Sequence, residues 1–82
     1  MERYKRVYVE TNVLFSCEGN MMPKALRWED GRTFAIDKVL EVRRASGERA
    51  GSHGVRYTCR ICGKERYLFY DGKRWFVEAL MF

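Results

Sequence analysis

The sequence is poor in the groups on which most enzyme sites and membrane spans depend. It holds a single histidine, His53, and a single proline, Pro23, in 82 residues. The histidine stands in a stretch rich in glycine and serine. The acids Asp30, Asp37, Glu65 and Asp71 fall at turns or strand ends. No base is paired with an orienting acid, so the chain reads as a non-enzyme. No apolar run approaches the roughly 18 residues that a membrane-crossing helix requires. The opening Met-Glu-Arg-Tyr-Lys-Arg leads into an alternating pattern rather than a signal-peptide core, so a cytoplasmic location without membrane contact is expected. The length leaves no room for two cores, and one domain spanning residues 1–82 is expected.

Cysteine is also scarce. Three cysteines, an odd number, fit reduced thiols rather than a disulfide framework. Cys59-Arg-Ile-Cys62-Gly63-Lys64 has the shape of half a zinc knuckle, but the other two ligands would have to come from Cys17 and His53, which are not at knuckle spacing. The competing reading takes Cys59, alternating with Tyr57 and Ile61, as a small core residue. No βαβ pattern surrounds the pair, which removes the helix dipole that a redox Cys-x-x-Cys needs. Gly47, Gly51 and Gly54 lack the Gly-Lys-Ser/Thr ending of a phosphate loop. No cofactor is expected.

What the chain does have is apolar and charged material in proportions that fold: 46% hydrophobic, 15% aromatic and 33% charged. The net charge of +5 is unevenly placed. Residues 1–42 carry seven bases and seven acids, whereas residues 43–74 carry nine bases against Glu48, Glu65 and Asp71. Eleven of the sixteen bases are arginine, whose planar guanidinium suits phosphate contacts and ring stacking.

Periodicity predicts β structure almost throughout. Val7 and Val9 alternate with Tyr8 and Glu10, and Val13-Leu14-Phe15 follows a bulge or bend at Thr11-Asn12. Turns are expected at Glu18-Gly19-Asn20 and, as a tight hairpin, at Asp30-Gly31 between Leu26-Trp28 and Phe34-Ile36. Residues 36–44 fit a helical spacing as well as a strand. Their β-branched content favours the strand, with a bulge near Asp37-Lys38 that returns Val42 to the inner face. Residues 45–54 read as a mobile loop.

Three strands then form a meander with turns near Gly63-Lys64 and Asp71-Gly72. Two-residue loops there would set Cys59 opposite Leu68 and Leu68 opposite Trp75, and Arg60 opposite Tyr67 and Tyr67 opposite Phe76. One face of the meander, with Val55, Tyr57, Cys59, Ile61, Leu68, Tyr70, Trp75 and Val77, is core. The other interleaves Arg56, Thr58, Arg60 and Arg74 with Tyr67, Phe69 and Phe76. It is either covered by Val13-Leu14-Phe15 or open to a partner. The apolar Ala79-Leu-Met-Phe82 either packs back or marks a self-associating edge. Five to six short antiparallel strands in this length suggest an all-β, SH3-like barrel or a strongly curled sheet.

The run Pro23-x-x-Leu-x-Trp28-x-Asp-Gly-Arg32-x-Phe34-x-Ile36, then Gly54-x-Arg56-Tyr57-Thr58, Tyr67-Leu-Phe and Trp75-Phe-Val-Glu78, resembles small uncharacterised bacterial proteins of a domain-of-unknown-function family with SH3-like barrels. More loosely, it is similar to a domain associated with Y-family DNA polymerase-like proteins. The likeness covers most of residues 20–78. It implies the barrel, no established catalytic residues and an association with nucleic acid. On the residues themselves, Arg56, Arg60, Arg66 and Arg74 would neutralise phosphates while Tyr67, Phe69 and Phe76 stack on the bases of a single strand. The alternative is a protein-interaction module, a monomer or weak homodimer, that uses the same face or an exposed strand edge.

Overall fold

The computed structural model describes residues 3–47 and 51–81, and these are strands and turns without a helix. Eight strand segments are present: β1 (Arg3–Tyr8), β2 (Glu10–Phe15), β3 (Met21–Arg27), β4 (Thr33–Ala35), β5 (Lys38–Gly47), β6 (Gly51–Ile61), β7 (Lys64–Tyr70) and β8 (Trp75–Met81). They form two antiparallel sheets, one of five strands in the order β1-β8-β7-β6-β5 and one of three in the order β2-β3-β4. The eight segments exceed the expected five or six because two continuous stretches each serve both sheets. β1 passes into β2 at Val9, whose N–H donates to the Trp75 carbonyl at 3.0 Å. β4 passes into β5 at Ile36-Asp37, where the Ile36 N–H reaches back to the Lys24 carbonyl and the Asp37 N–H forward to that of Arg60, each at 2.9 Å.

Residues 36–44 are resolved in favour of strand. The predicted bulge lies at Leu40, between Val39 and Glu41, rather than at Asp37-Lys38. The extra residue sets Val42 opposite Tyr57 on the inward side, as expected, yet Val42 is 55% exposed because β5 is the edge of its sheet. The loop expected over 45–54 is much shorter. Arg44 pairs with Val55, Ala45 with Gly54 and Gly47 with Gly51. The glycines punctuate one long hairpin that needs only one reversal, and residues 48–50 lie outside the described residues. At the other end, β8 runs on to Met81 and pairs with β1, so the backbone of Ala79–Met81 is part of the five-stranded sheet.

The turns explain both the register and its two departures from expectation. Ser16–Asn20 and Trp28–Arg32 share one construction, a three-residue loop with glycine fourth: the Gly19 and Gly31 N–H groups donate to the Ser16 and Trp28 carbonyls. Both glycines have positive φ, 87° and 91°. The β6–β7 turn is centred on Cys62-Gly63, not Gly63-Lys64. Such a turn needs positive φ at both central residues with glycine preferred second, and Cys62 and Gly63 have φ of 54° and 76°. The register therefore moves by two, setting Tyr57 opposite Leu68 and Thr58 opposite Tyr67. Across the next turn it moves by two again, because the Asp71 N–H donates to the Arg74 carbonyl and the loop closes on Gly72-Lys73 rather than Asp71-Gly72: Phe69, not Tyr67, opposes Phe76, and Tyr70, not Leu68, opposes Trp75. A shift of two preserves parity, and the two predicted faces of the meander survive it.

Cys62 is the one described non-glycine residue with positive φ. A Cβ in that region is penalised, and asparagine is the side chain best suited to it. Cys62→Asn is expected to raise stability by about 1 kcal/mol, read as a higher urea midpoint with an unchanged slope.

The core lies between the sheets. Val7, Val9, Leu26, Ile36, Tyr57, Cys59 and Leu68 are buried there, with Trp28, Phe34, Val39, Val55, Ile61, Tyr70, Trp75 and Val77 packed around them. This confirms the first meander face as core. The three-stranded sheet thus covers that face and leaves the arginine-bearing one on the outside.

Candidate nucleic-acid interface

The outer face of the five-stranded sheet carries a row of four rings supplied by three neighbouring strands: Tyr8 from β1, Phe76 from β8, and Phe69 and Tyr67 from β7. Centroids are 5.6 Å apart for Tyr8 and Phe76, 5.1 Å for Phe76 and Phe69, and 6.4 Å for Phe69 and Tyr67. The middle pair is stacked at 13° and buried, forming a second small core. Its cover is not the predicted one. Leu14 and Phe15 of β2 are exposed, at 53% and 65%, and belong to the other sheet.

Arg6 contributes to that cover, and two more arginines lie over the flanking rings. The Arg6 guanidinium lies over the Phe76 ring at 4.6 Å, Arg56 over Tyr67 at 4.5 Å and Arg74 over Tyr8 at 4.0 Å. Each such contact contributes about 0.5–1 kcal/mol at an exposed site and favours keeping the guanidinium over its ring. Arg74 also donates from Nη2 to the Tyr8 hydroxyl at 3.2 Å and pairs loosely with Asp71 at 3.9 Å. Asp71 is itself fixed by the turn: its Oδ1 accepts from the Arg74 and Lys73 N–H groups at 2.6 and 2.8 Å, and those bonds hold its carboxyl below the usual range. Arg56 is mostly buried, 3.6 Å from Glu41 through Nη2, and its Nε has no hydrogen-bond partner among the described residues. Thr58, between Arg56 and Arg60 on β6, is buried on the same face.

The predicted site residues do not all meet. Arg56, Tyr67, Phe69, Arg74 and Phe76 belong to this one array, and Arg60 stands exposed at its edge, paired in register with Lys38 and Glu65. Arg66 lies opposite Cys59, so its strand position points to the other face, and its Nη1 donates to the Glu65 carbonyl. Phe69 and Phe76 are buried, so the rings left for a ligand are Tyr8 and Tyr67, 42% and 49% exposed. Sequence reasoning passed over Arg6, Tyr8, Glu41 and Arg43. Arg6 and Tyr8 were legible as the polar half of the β1 alternation, whose apolar half, Val7 and Val9, was used. Glu41 and Arg43, 3.6 Å apart, required the register of β5.

The zinc candidates are dispersed. Cys59 is buried in the core, its Sγ turned to the Tyr57 carbonyl at 3.7 Å, while Cys62 and Cys17 are exposed at turns. The side chain of His53 lies outside the described residues. Among the described residues, no group of three or more His, Cys, Asp or Glu is placed to hold a metal ion. Comparison with protein-family models, curated proteins and solved structures finds no match to this chain.

Proposed function

We infer that this protein is a small, non-catalytic nucleic-acid-binding module that reads the sugar-phosphate backbone through the outer face of its five-stranded sheet. The observation that carries this reading is the set of arginines seated over rings, Arg74 over Tyr8, Arg6 over Phe76 and Arg56 over Tyr67. A guanidinium held over a ring has less freedom to lose when it meets a phosphate. Lys38, Arg43 and Arg60 add charge around them, against Glu41, Glu65 and Glu78. Burial of Phe69 and Phe76 assigns them to support rather than base stacking, so phosphates rather than bases provide most of the contact. The fold is read as an SH3-like barrel, supported by the two stretches that pass from one sheet to the other at Val9 and Ile36-Asp37.

A fluorescent single-stranded oligonucleotide titrated against the protein tests this. Three to four phosphate contacts give a loss of affinity of about 20–50-fold between 50 and 200 mM salt. Arg60→Ala and Arg74→Ala are expected to weaken binding and flatten the salt slope by about 0.7 each. An abasic strand of equal length should bind nearly as well. Absence of binding at 50 mM salt would sink the proposal.

A further inference from the structure

β5 is an edge. It has β6 on one side and, among the described residues, no strand on the other. The reason is visible at Ile36-Asp37: β4 pairs with β3 through Ala35, Phe34 and Thr33, one more bond joins Ile36 to Lys24, and the chain then diverges from β3 to follow β6. From Lys38 to Gly47 a ten-residue strand offers one row of backbone groups to solvent. The bulge at Leu40 and the charges along the strand deter indiscriminate pairing at such an edge, so a strand that joins it must complement them.

The side chains along the edge describe the strand it would take. Val42 and Arg44 pair with Tyr57 and Val55, so both belong to the inward side of the sheet, yet both are exposed. Leu40, at the bulge, is exposed as well. The charges are Lys38, Arg43 and Arg44 against Glu41 alone, and Glu41 is already 3.6 Å from both Arg43 and Arg56 of its own chain. A second copy would bring this net positive strand against itself in every register. An acidic partner would not meet that repulsion.

We propose that the free edge of β5 binds an extended acidic polypeptide as an additional antiparallel or parallel strand, with an apolar side chain of the partner over Val42 and a carboxylate against Arg44. Backbone hydrogen bonds along β5 supply the affinity, and an apolar and an acidic residue two positions apart, on one face of the partner strand, supply the selectivity. This site is separate from the arginines on rings: Val42 and Arg44 stand on the opposite face of the sheet.

The probe is a labelled peptide of the repeat Val-Thr-Glu-Thr, which sets valine and glutamate two residues apart on one face, titrated at low salt against the full chain, with amide hydrogen exchange measured in parallel. Saturable binding is expected, with exchange over residues 38–44 slowed at least tenfold. Backbone N-methylation of the peptide should abolish binding, and Val42→Glu combined with Arg44→Glu should weaken it at least fivefold. If the double variant lowers the urea midpoint, Arg44→Gln alone decides the question. The proposal is overturned by no binding, by binding that survives N-methylation, or by unchanged exchange over 38–44. A concentration-dependent dimer that Val42→Glu abolishes would likewise overturn it, since a second copy would then hold the edge.

Discussion

Phe76→Ala is expected to lower the stability of the domain by about 3–5 kcal/mol, the cost of removing a fully buried aromatic and leaving its cavity. A chain of this length is stable by roughly 4–12 kcal/mol, so the loss is a large share of the total and at the lower end of that range leaves the variant partly unfolded near room temperature. The magnitude follows from where the ring sits. Phe76 is completely buried although no second sheet lies over it. It is stacked on Phe69, flanked by Tyr8 and covered by Arg6. Removing it unseats all three. Phe69→Ala should destabilise by a similar amount, and the double variant by less than the sum, because each ring is a wall of the other's cavity. Phe15→Ala, at an exposed position, should stay within about 0.5 kcal/mol of the parent. Urea denaturation provides the measurement. A loss below about 1 kcal/mol for Phe76→Ala would mean that the outer cover is too loose to act as a core.

Alkylation should divide the three thiols into two classes. Cys17 and Cys62 are exposed at turns and should react with iodoacetamide at ordinary rates, whereas Cys59 is wholly buried. Burial also pushes the Cys59 thiol up to about 11. At pH 8 that leaves roughly a hundredfold less thiolate than an ordinary cysteine near 9 would have, before any barrier to access, and the thiolate is the reactive form. Mass spectrometry of the native protein should therefore show two fast adducts and a third that forms at least a hundredfold more slowly. In denaturant all three should react alike. Comparable native rates at all three sites would place Cys59 outside the core. The raised value also sets a pH dependence. The folded state holds the Cys59 proton more tightly than the unfolded chain does, so this contribution to stability is complete below the ordinary thiol range and fades as pH climbs toward about 11.

Much of this architecture was legible in the sequence. The alternation in Val55–Ile61 and Lys64–Tyr70 identified both faces of the meander, because strand parity depends only on local pattern. The turns at Gly19 and Gly31 were also found where expected, and those at Gly63 and Gly72 one residue away. Register was not, since Cys62-Gly63 and Gly63-Lys64 are equally good strings and only the φ required of each central residue separates them. The cover of Phe69 and Phe76 was missed for a different reason. Large aromatics are usually buried under other apolar residues, which pointed to Val13-Leu14-Phe15, whereas arginine stems and guanidinium faces contribute here. Pattern alone does not reveal that an arginine will lie over a ring. Val42 was assigned correctly to the inward side, but its exposure depends on the end of the sheet, a property of topology rather than of neighbours in the chain. For the candidate interface, Arg56, Tyr67, Phe69, Arg74 and Phe76 were found together. Arg6 and Tyr8 come from the opposite end of the chain, joined only through the β1–β8 pairing.

The passages at Val9 and Ile36-Asp37 have a bearing on the arginines that distance alone would not suggest. Each stretch is anchored in one sheet and ends in the other, so the molecule has no seam along which the sheets can part with their ladders intact. The outer strands β1 and β5 of the five-stranded sheet are each continuous with a strand of the smaller sheet, which tethers them where the chain passes across. Arg6 and Tyr8 stand on β1, and Glu41 and Arg43 on β5. The spacing of the cationic array is thus governed partly from behind, by residues such as Leu26 and Ile36 that never approach it, and drift at those positions would retune the array without altering any of its members.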